Sequence, residues 1–199
     1  MDVSIGKWAR ELHLSAEHLT SMRGLNCRFL DLAGKGVLSP ALGSQVAPLS
    51  PSQRAAAADC PYALFDLRFM DDAHWGKRLI GTWRIADEPN VDADTLDFVR
   101  LALFYSWHVA SNAGLTAHLL LGMHSNTADA FRRVSVDALP ALAATEAVNL
   151  TARWSDCNAY WAALTSAAAR PDPAVLRRVQ LSGLQLAAAA QLPSEPREV

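Results

Sequence analysis

The chain is short of the residues that carry most recognisable chemistry. It has three cysteines in 199 residues, Cys27, Cys60 and Cys157, and no C-x-x-C pair. A disulfide framework and a thiolate metal knuckle are therefore not expected, and buried thiols are the default. There is no P-loop, no Rossmann glycine pattern and no G-x-S-x-G elbow, which argues against the common nucleotide-dependent and hydrolase classes. The histidines His13, His18, His74, His108, His118 and His124 include no i, i+4 pair, so no helical metal site is predicted. Neither charge sign dominates. Eighteen Lys and Arg against twenty Asp and Glu leave a net charge of −2, which excludes a chain-wide cationic surface for nucleic acid. No apolar run follows Met1-Asp2-Val3 as a secretory signal would require, so the expected compartment is the cytoplasm.

What is present is apolar and helix-forming. Hydrophobic residues make up 51% of the chain, with many Ala and Leu and few β-branched runs, which predicts an all-α fold with a real core. Lys7 to Leu32 reads as helical with Ser15 as a possible internal N-cap, stopped by Gly34 and Gly36. Two Ser-Pro steps predict short helices at Pro40–Val46 and Pro51–Asp59. The aromatic run Tyr62–Phe69 fits a helix or a short strand equally well. Asp87–Asp94 reads as a loop. Thr95–Met123 reads as one long helix or two, with the break at Asn112 and Gly114. Helices are further expected at Thr127–Val134, Asp137–Leu150, Ala159–Ala169 and Ala174–Gln191, and a frayed tail at 193–199. Leu101 to Ala128 contains no charged residue and is long enough to span a bilayer, but its His, Asn, Ser and Thr side chains predict a core helix and no membrane.

The chain also resembles itself at a period of about 85 residues. Leu64-Phe65-Asp66-Leu67-Arg68-Phe69-Met70-Asp71 faces Asn149-Leu150-Thr151-Ala152-Arg153-Trp154-Ser155-Asp156, so Arg, an aromatic and Asp recur in register. Ser50 faces Ser135, and Trp75 faces Trp161 after a one-residue slip. This predicts two tandem, pseudo-symmetric, intertwined helical repeats over residues 1–94 and 95–192. Arg68, Phe69 and Trp75 are then expected to match Arg153, Trp154 and Trp161 as structural anchors, with Arg68 overlying Arg153. The arginines are expected to stack on aromatics or bond a helix C-terminus.

The second half, from Val99 to Ala190, resembles the FlhD family of flagellar transcriptional regulator subunits. The residues that carry the resemblance are Leu121-Gly122-Met123, Thr127-Ala128, Val134-Ser135, Leu142-Ala143-Ala144-Thr145, Arg153-Trp154-x-Asp156 and Arg170-x-Asp172. The resemblance implies an all-α protein without enzymatic activity or cofactor, which dimerises through intertwined helices and helps a partner subunit bind promoter DNA. Here the pattern is doubled, which would replace a homodimer by an intramolecular one.

Other elements are weighed against plainer roles. Ala9–Leu19 has a helix-turn-helix flavour, with His13 where the turn glycine belongs, but an amphipathic helix capped at Ser15 explains it as well. His74 with Asp71-Asp72 reads as a base and its orienter or, more simply, as a cap before a helix. The pairs Lys77-Arg78, Arg132-Arg133 and Arg177-Arg178 read as three separate solvated faces. The expected function is that of a regulatory or assembly module acting through a protein partner, with Arg170, Arg177 and Arg178 as contacts to that partner or to DNA. The alternatives are a direct DNA-binding factor and an accessory protein of a secretion or flagellar assembly.

Overall fold

The structure, a computed structural model, describes residues 15–80, 91–112, 114–170 and 172–190. Residues 7–14 of the first expected helix, most of Ala9–Leu19, half of the Asp87–Asp94 loop and the tail at 193–199 lie outside them. Ten α-helices, two three-ten turns and one pair of two-residue strands account for the regular structure among the described residues, so the fold is all-α.

The helix starts follow their local chemistry. α1 (Ala16–Gly34) begins at Ser15, whose hydroxyl accepts the His18 N–H. α2 (Pro40–Val46) and α3 (Pro51–Ala57) each place proline at the first position after a serine, where its missing N–H costs nothing. Ser50 and Gln53 close a reciprocal capping box on α3. β1 (Phe65–Asp66) follows, then α4 (Asp72–Ile80). The long apolar segment divides into α5 (Ala93–Asn112) and α6 (Gly114–Leu121), at the Asn-Gly break. α6 stops at Gly122, whose φ of +69° is the left-handed conformation a β-carbon disfavours. α7 (Ser125–Phe131) is followed by a three-ten turn at Val136–Ala138, α8 (Leu139–Glu146) and a second three-ten turn at Ala147–Asn149. Asp137–Leu150 is thus one short α-helix with a tighter turn at each end, not a continuous helix. β2 (Thr151–Ala152), α9 (Asn158–Ala168) and α10 (Pro173–Ala189) complete the chain, with the Asp172 carboxylate accepting the N–H groups of Ala174 and Val175 to start α10.

The strands settle the aromatic run. Phe65 pairs with Ala152 and Asp66 with Thr151, antiparallel. They join distant parts of the chain at its centre. Around them α4 packs on α7, while α9 packs on α2 and α3 and α5 runs beside α1, α7 and α8. One continuous core results, with Phe29, Tyr62, Phe65, Phe69, Trp75, Leu103 and Phe131 fully buried. No helix among the described residues is long and apolar enough to cross a membrane. The uncharged segment instead supplies core residues, among them Ala102, Leu103, Val109, Ala117 and Leu120.

Three buried polar groups hold the layers together. The Asn26 amide, fully buried on α1, donates to the carbonyls of Ala58 (3.3 Å) and Tyr62 (2.9 Å) and accepts the Leu64 N–H (2.9 Å). It thereby completes the backbone bonds of the loop that leads into β1. The Tyr62 hydroxyl donates to the Gln180 carbonyl (2.8 Å) and meets the Tyr160 hydroxyl at 2.9 Å, pinning α10 to α9 and to that loop. Gly183 makes this possible: a β-carbon there would lie 2.0 Å from the Tyr62 oxygen. Glu146, at the end of α8, is fully buried and meets three groups. His74 Nε2 lies 2.7 Å from its Oε2, Asn149 Nδ2 donates to the same oxygen at 2.7 Å, and Arg78 Nε faces Oε1 at 2.9 Å as an ion pair.

Candidate functional site

The segment after each strand turns sharply. Arg68 (φ +58°) and Trp154 (φ +54°) adopt the left-handed conformation, which is uncommon for residues other than glycine. Each turn is held by a tryptophan of the next helix. The Trp75 indole donates to the carbonyls of Leu67 (3.2 Å) and Arg68 (3.0 Å), and the Trp161 indole donates to the Arg153 carbonyl (3.0 Å). Trp75, Phe69 and Trp161 are core residues, as expected; Trp154 is half-buried, with its ring edge-on to Tyr62 and Tyr160.

The arginines do not behave alike. Arg68 is half-exposed and pairs with Asp71 on the surface. Arg153 is 7% exposed. Its Nη1 donates to the Leu120 carbonyl at 3.3 Å, in the last turn of α6, and its guanidinium carbon lies 4.8 Å from the centre of the Trp154 ring. Arg153 thus does both things expected of the pair, and Arg68 does neither. The left-handed positions Arg68 and Trp154, and the tryptophans Trp75 and Trp161, are each 86 residues apart, one more than the 85 that separate Arg68 from Arg153.

Arg153 lines a cavity of about 240 Å³ between the strand pair, the α6 terminus and α10. Its walls include Gly122, where a β-carbon would come within 2.3 Å of Arg153 Nη2. Burial pulls the proton affinity of the guanidinium below its ordinary value, partly offset by the Asp66 carboxylate nearby.

The remaining predicted residues lie elsewhere. Arg170 is exposed just beyond α9, and Arg177 and Arg178 are exposed on α10. None of the three forms an ion pair within the described residues. Of the other basic pairs, Arg78 is engaged with Glu146, and Arg132 donates to the Ala110 carbonyl and to Asp129. The Asp71 carboxylate accepts the His74 N–H, the simple cap before α4; that bond and Arg68 hold the carboxyl below its usual range. The ring partner of His74 is Glu146, 72 residues away, which no local pattern marks. His124 faces Asp72 at 2.6 Å, and Asp72 also accepts from Asn126 and Thr127 at the start of α7. Among the described residues no group of three His, Cys, Asp or Glu is placed to hold a metal ion. Cys60 is buried, and burial pushes its thiol up to about 12, far from a nucleophile's range.

No protein-family model, curated protein or solved structure matches the chain.

Proposed function

We propose that this protein is a non-enzymatic regulatory or assembly module of the cytoplasm that acts by docking a protein partner on the outer face of α10. The observation that carries the reading is the composition of that face. Leu181 (46% exposed) and Leu184 (39% exposed) lie one helical turn apart, and Arg177 stands one turn before Leu181. Arg177 and Arg178 have no carboxylate partner within the described residues, and Arg170 lies just upstream. Exposed leucines bordered by unpaired arginines match an acidic amphipathic helix: the leucines supply apolar area and the arginines select the charge. Direct contact with DNA is the second reading, favoured by the same arginines. The leucines weigh against it, because phosphate contact needs no apolar strip.

We further propose that the chain is an internally duplicated, FlhD-like unit in register at 86 residues around the strands. The matching left-handed residues, the matching indole bonds and the swapped packing of α4 on α7 and of α9 on α2 support this. Such a unit would stand alone where the single-repeat family dimerises.

The test is retention from native lysate on the full immobilised chain, with and without nuclease, for wild type, L181E/L184E and R177E/R178E. The protein-partner reading expects the same polypeptides to survive nuclease and to be lost from both double variants. Retention that disappears with nuclease, falls in R177E/R178E and persists in L181E/L184E would replace it with the DNA reading.

A further inference from the structure

The cavity beside Arg153 has an unusual inner surface. A guanidinium carries five N–H donors in a rigid fork. Arg153 is nine-tenths buried, yet the structure gives it one hydrogen bond, to the Leu120 carbonyl, and no ion pair within the described residues. The Leu120 carbonyl is shared, because it also accepts the Ala63 N–H at 2.7 Å. The α6 C-terminus and the Trp154 ring offset part of the charge. The Asp66 carboxylate nearby offsets more of it but forms no ion pair with the guanidinium, and a buried cation without a direct partner is costly. The chain keeps an arginine here and surrounds it with two left-handed residues, Gly122 and Trp154. Glycine at 122 leaves Nη2 its place, since a β-carbon would occupy it. Gly122 adopts this conformation freely, but at Trp154 it is strained, and strained backbone concentrates at sites that hold something.

We propose that this cavity is a binding site for a small monocarboxylate with a short apolar body, whose carboxylate pairs with the Arg153 guanidinium. A planar carboxylate matches two parallel N–H donors of the fork, a pairing roughly twice as strong as a neutral hydrogen bond. Met70, Leu121 and Ala187 provide the apolar wall for the body of the ligand. Asp66 and Asp156 also line the cavity. Their charges repel a dianion about twice as strongly as a monoanion, so a single carboxylate facing the Arg153 fork is favoured over phosphate. A volume near 240 Å³ suits a ligand of a few heavy atoms. The site is separate from the leucine and arginine face of α10 and does not depend on its role.

The experiment is a titration of the full chain with propionate, butyrate, pentanoate and inorganic phosphate, followed by nitrogen-15 NMR of the arginine Nε–H and tryptophan indole resonances. Arg153→Lys keeps the charge and loses the fork; Ala190→Trp, at the cavity's exposed edge, leaves Arg153 intact and blocks the entrance. The expected result is saturable binding of the carboxylates in the millimolar range, with the Arg153 Nε–H and Trp154 resonances shifting together. Binding should weaken about tenfold in Arg153→Lys and be lost in Ala190→Trp. Absence of binding by all three acids overturns the proposal. So does binding that survives unchanged in Ala190→Trp, which would lie elsewhere, or tighter binding of phosphate than of any carboxylate. Should Arg153→Lys fail to fold, Ala190→Trp alone decides.

Discussion

Gly183→Ala is predicted to destabilise the protein although it replaces glycine by the best helix former in the middle of α10. The new methyl would sit 2.0 Å from the Tyr62 oxygen and 2.4 Å from Tyr62 Cζ. Tyr62 has no room to retreat. Its side chain is fully buried, its ring is edge-on to Trp154, and its hydroxyl is bonded to Tyr160 and to the Gln180 carbonyl. Losing those two bonds costs about 1 kcal/mol each. Overpacking adds ~1–3 kcal/mol, and helix propensity returns ~1 kcal/mol. The net expectation is a loss of about 2–4 kcal/mol, summing those same effects. Gly24→Ala is the internal control: it too is mid-helix, on α1, and its added methyl meets nothing within 4 Å. It should stabilise by ~0.5–1 kcal/mol. Urea unfolding of the two variants, compared at constant slope, reads both signs. A Gly183→Ala protein as stable as wild type would refute the assignment of Gly183 as the clearance for the tyrosine clamp.

Other expectations follow from the same contacts. Asn26→Ala strands three backbone groups in the core and should cost roughly 3 kcal/mol in the same assay, with hydrogen exchange at Leu64 accelerated. Glu146→Ala removes the shared partner of His74, Asn149 and Arg78 and should cost about 3 kcal/mol. Arg68→Ala, which breaks only a surface pair, should stay within ~1 kcal/mol of wild type; equal losses at the two sites would contradict the distinction. The Cys60 thiol is neutral in the fold up to about 12, against an ordinary value of 9.0. Because its folded value is the higher one, its contribution is whole below pH 9 and declines as pH rises towards 12, by up to ~1.4 kcal/mol per pH unit. Burial pushes Tyr62 and Tyr160 in the same direction. Cys60→Ala should therefore lose stability less steeply than wild type above pH 9; parallel decline would show that the thiol does not ionise on unfolding.

Helix punctuation was legible because it is local. Ser39-Pro40 and Ser50-Pro51 start helices at those prolines, and Asn112 with Gly114 marks the break in the long apolar segment. β1 lies in the aromatic run that fitted a helix or a short strand equally well, and β2 was not legible at all, since nothing that short has a period and the pairing spans 87 residues between Phe65 and Ala152. The polar hubs were equally silent. Asn26, Glu146 and Gln180 sit on helices among apolar neighbours, and only distant partners explain them. The two arginines share a residue type but not an environment. Residue type at 68 and 153 suggested a register of 85, whereas backbone sign and indole bonding follow 86. An arginine and a tryptophan at left-handed positions give no sign of that conformation in their identity, as a glycine would. Of the site residues, Trp75 and Trp161 were readable as core, but the exposure of Arg68 and the burial of Arg153 were decided by which carbonyls and carboxylates the fold brings near.

The central claim, that the α10 face receives a protein, is tested most directly by placing a photo-crosslinking amino acid at Leu181 in the full chain inside its native cells, with Val37, exposed before α2, as the control position. The account predicts a discrete, nuclease-resistant protein adduct from position 181, absent from position 37 and abolished by R177E/R178E. Nucleic acid captured at 181, or the same adducts from both positions, would contradict it.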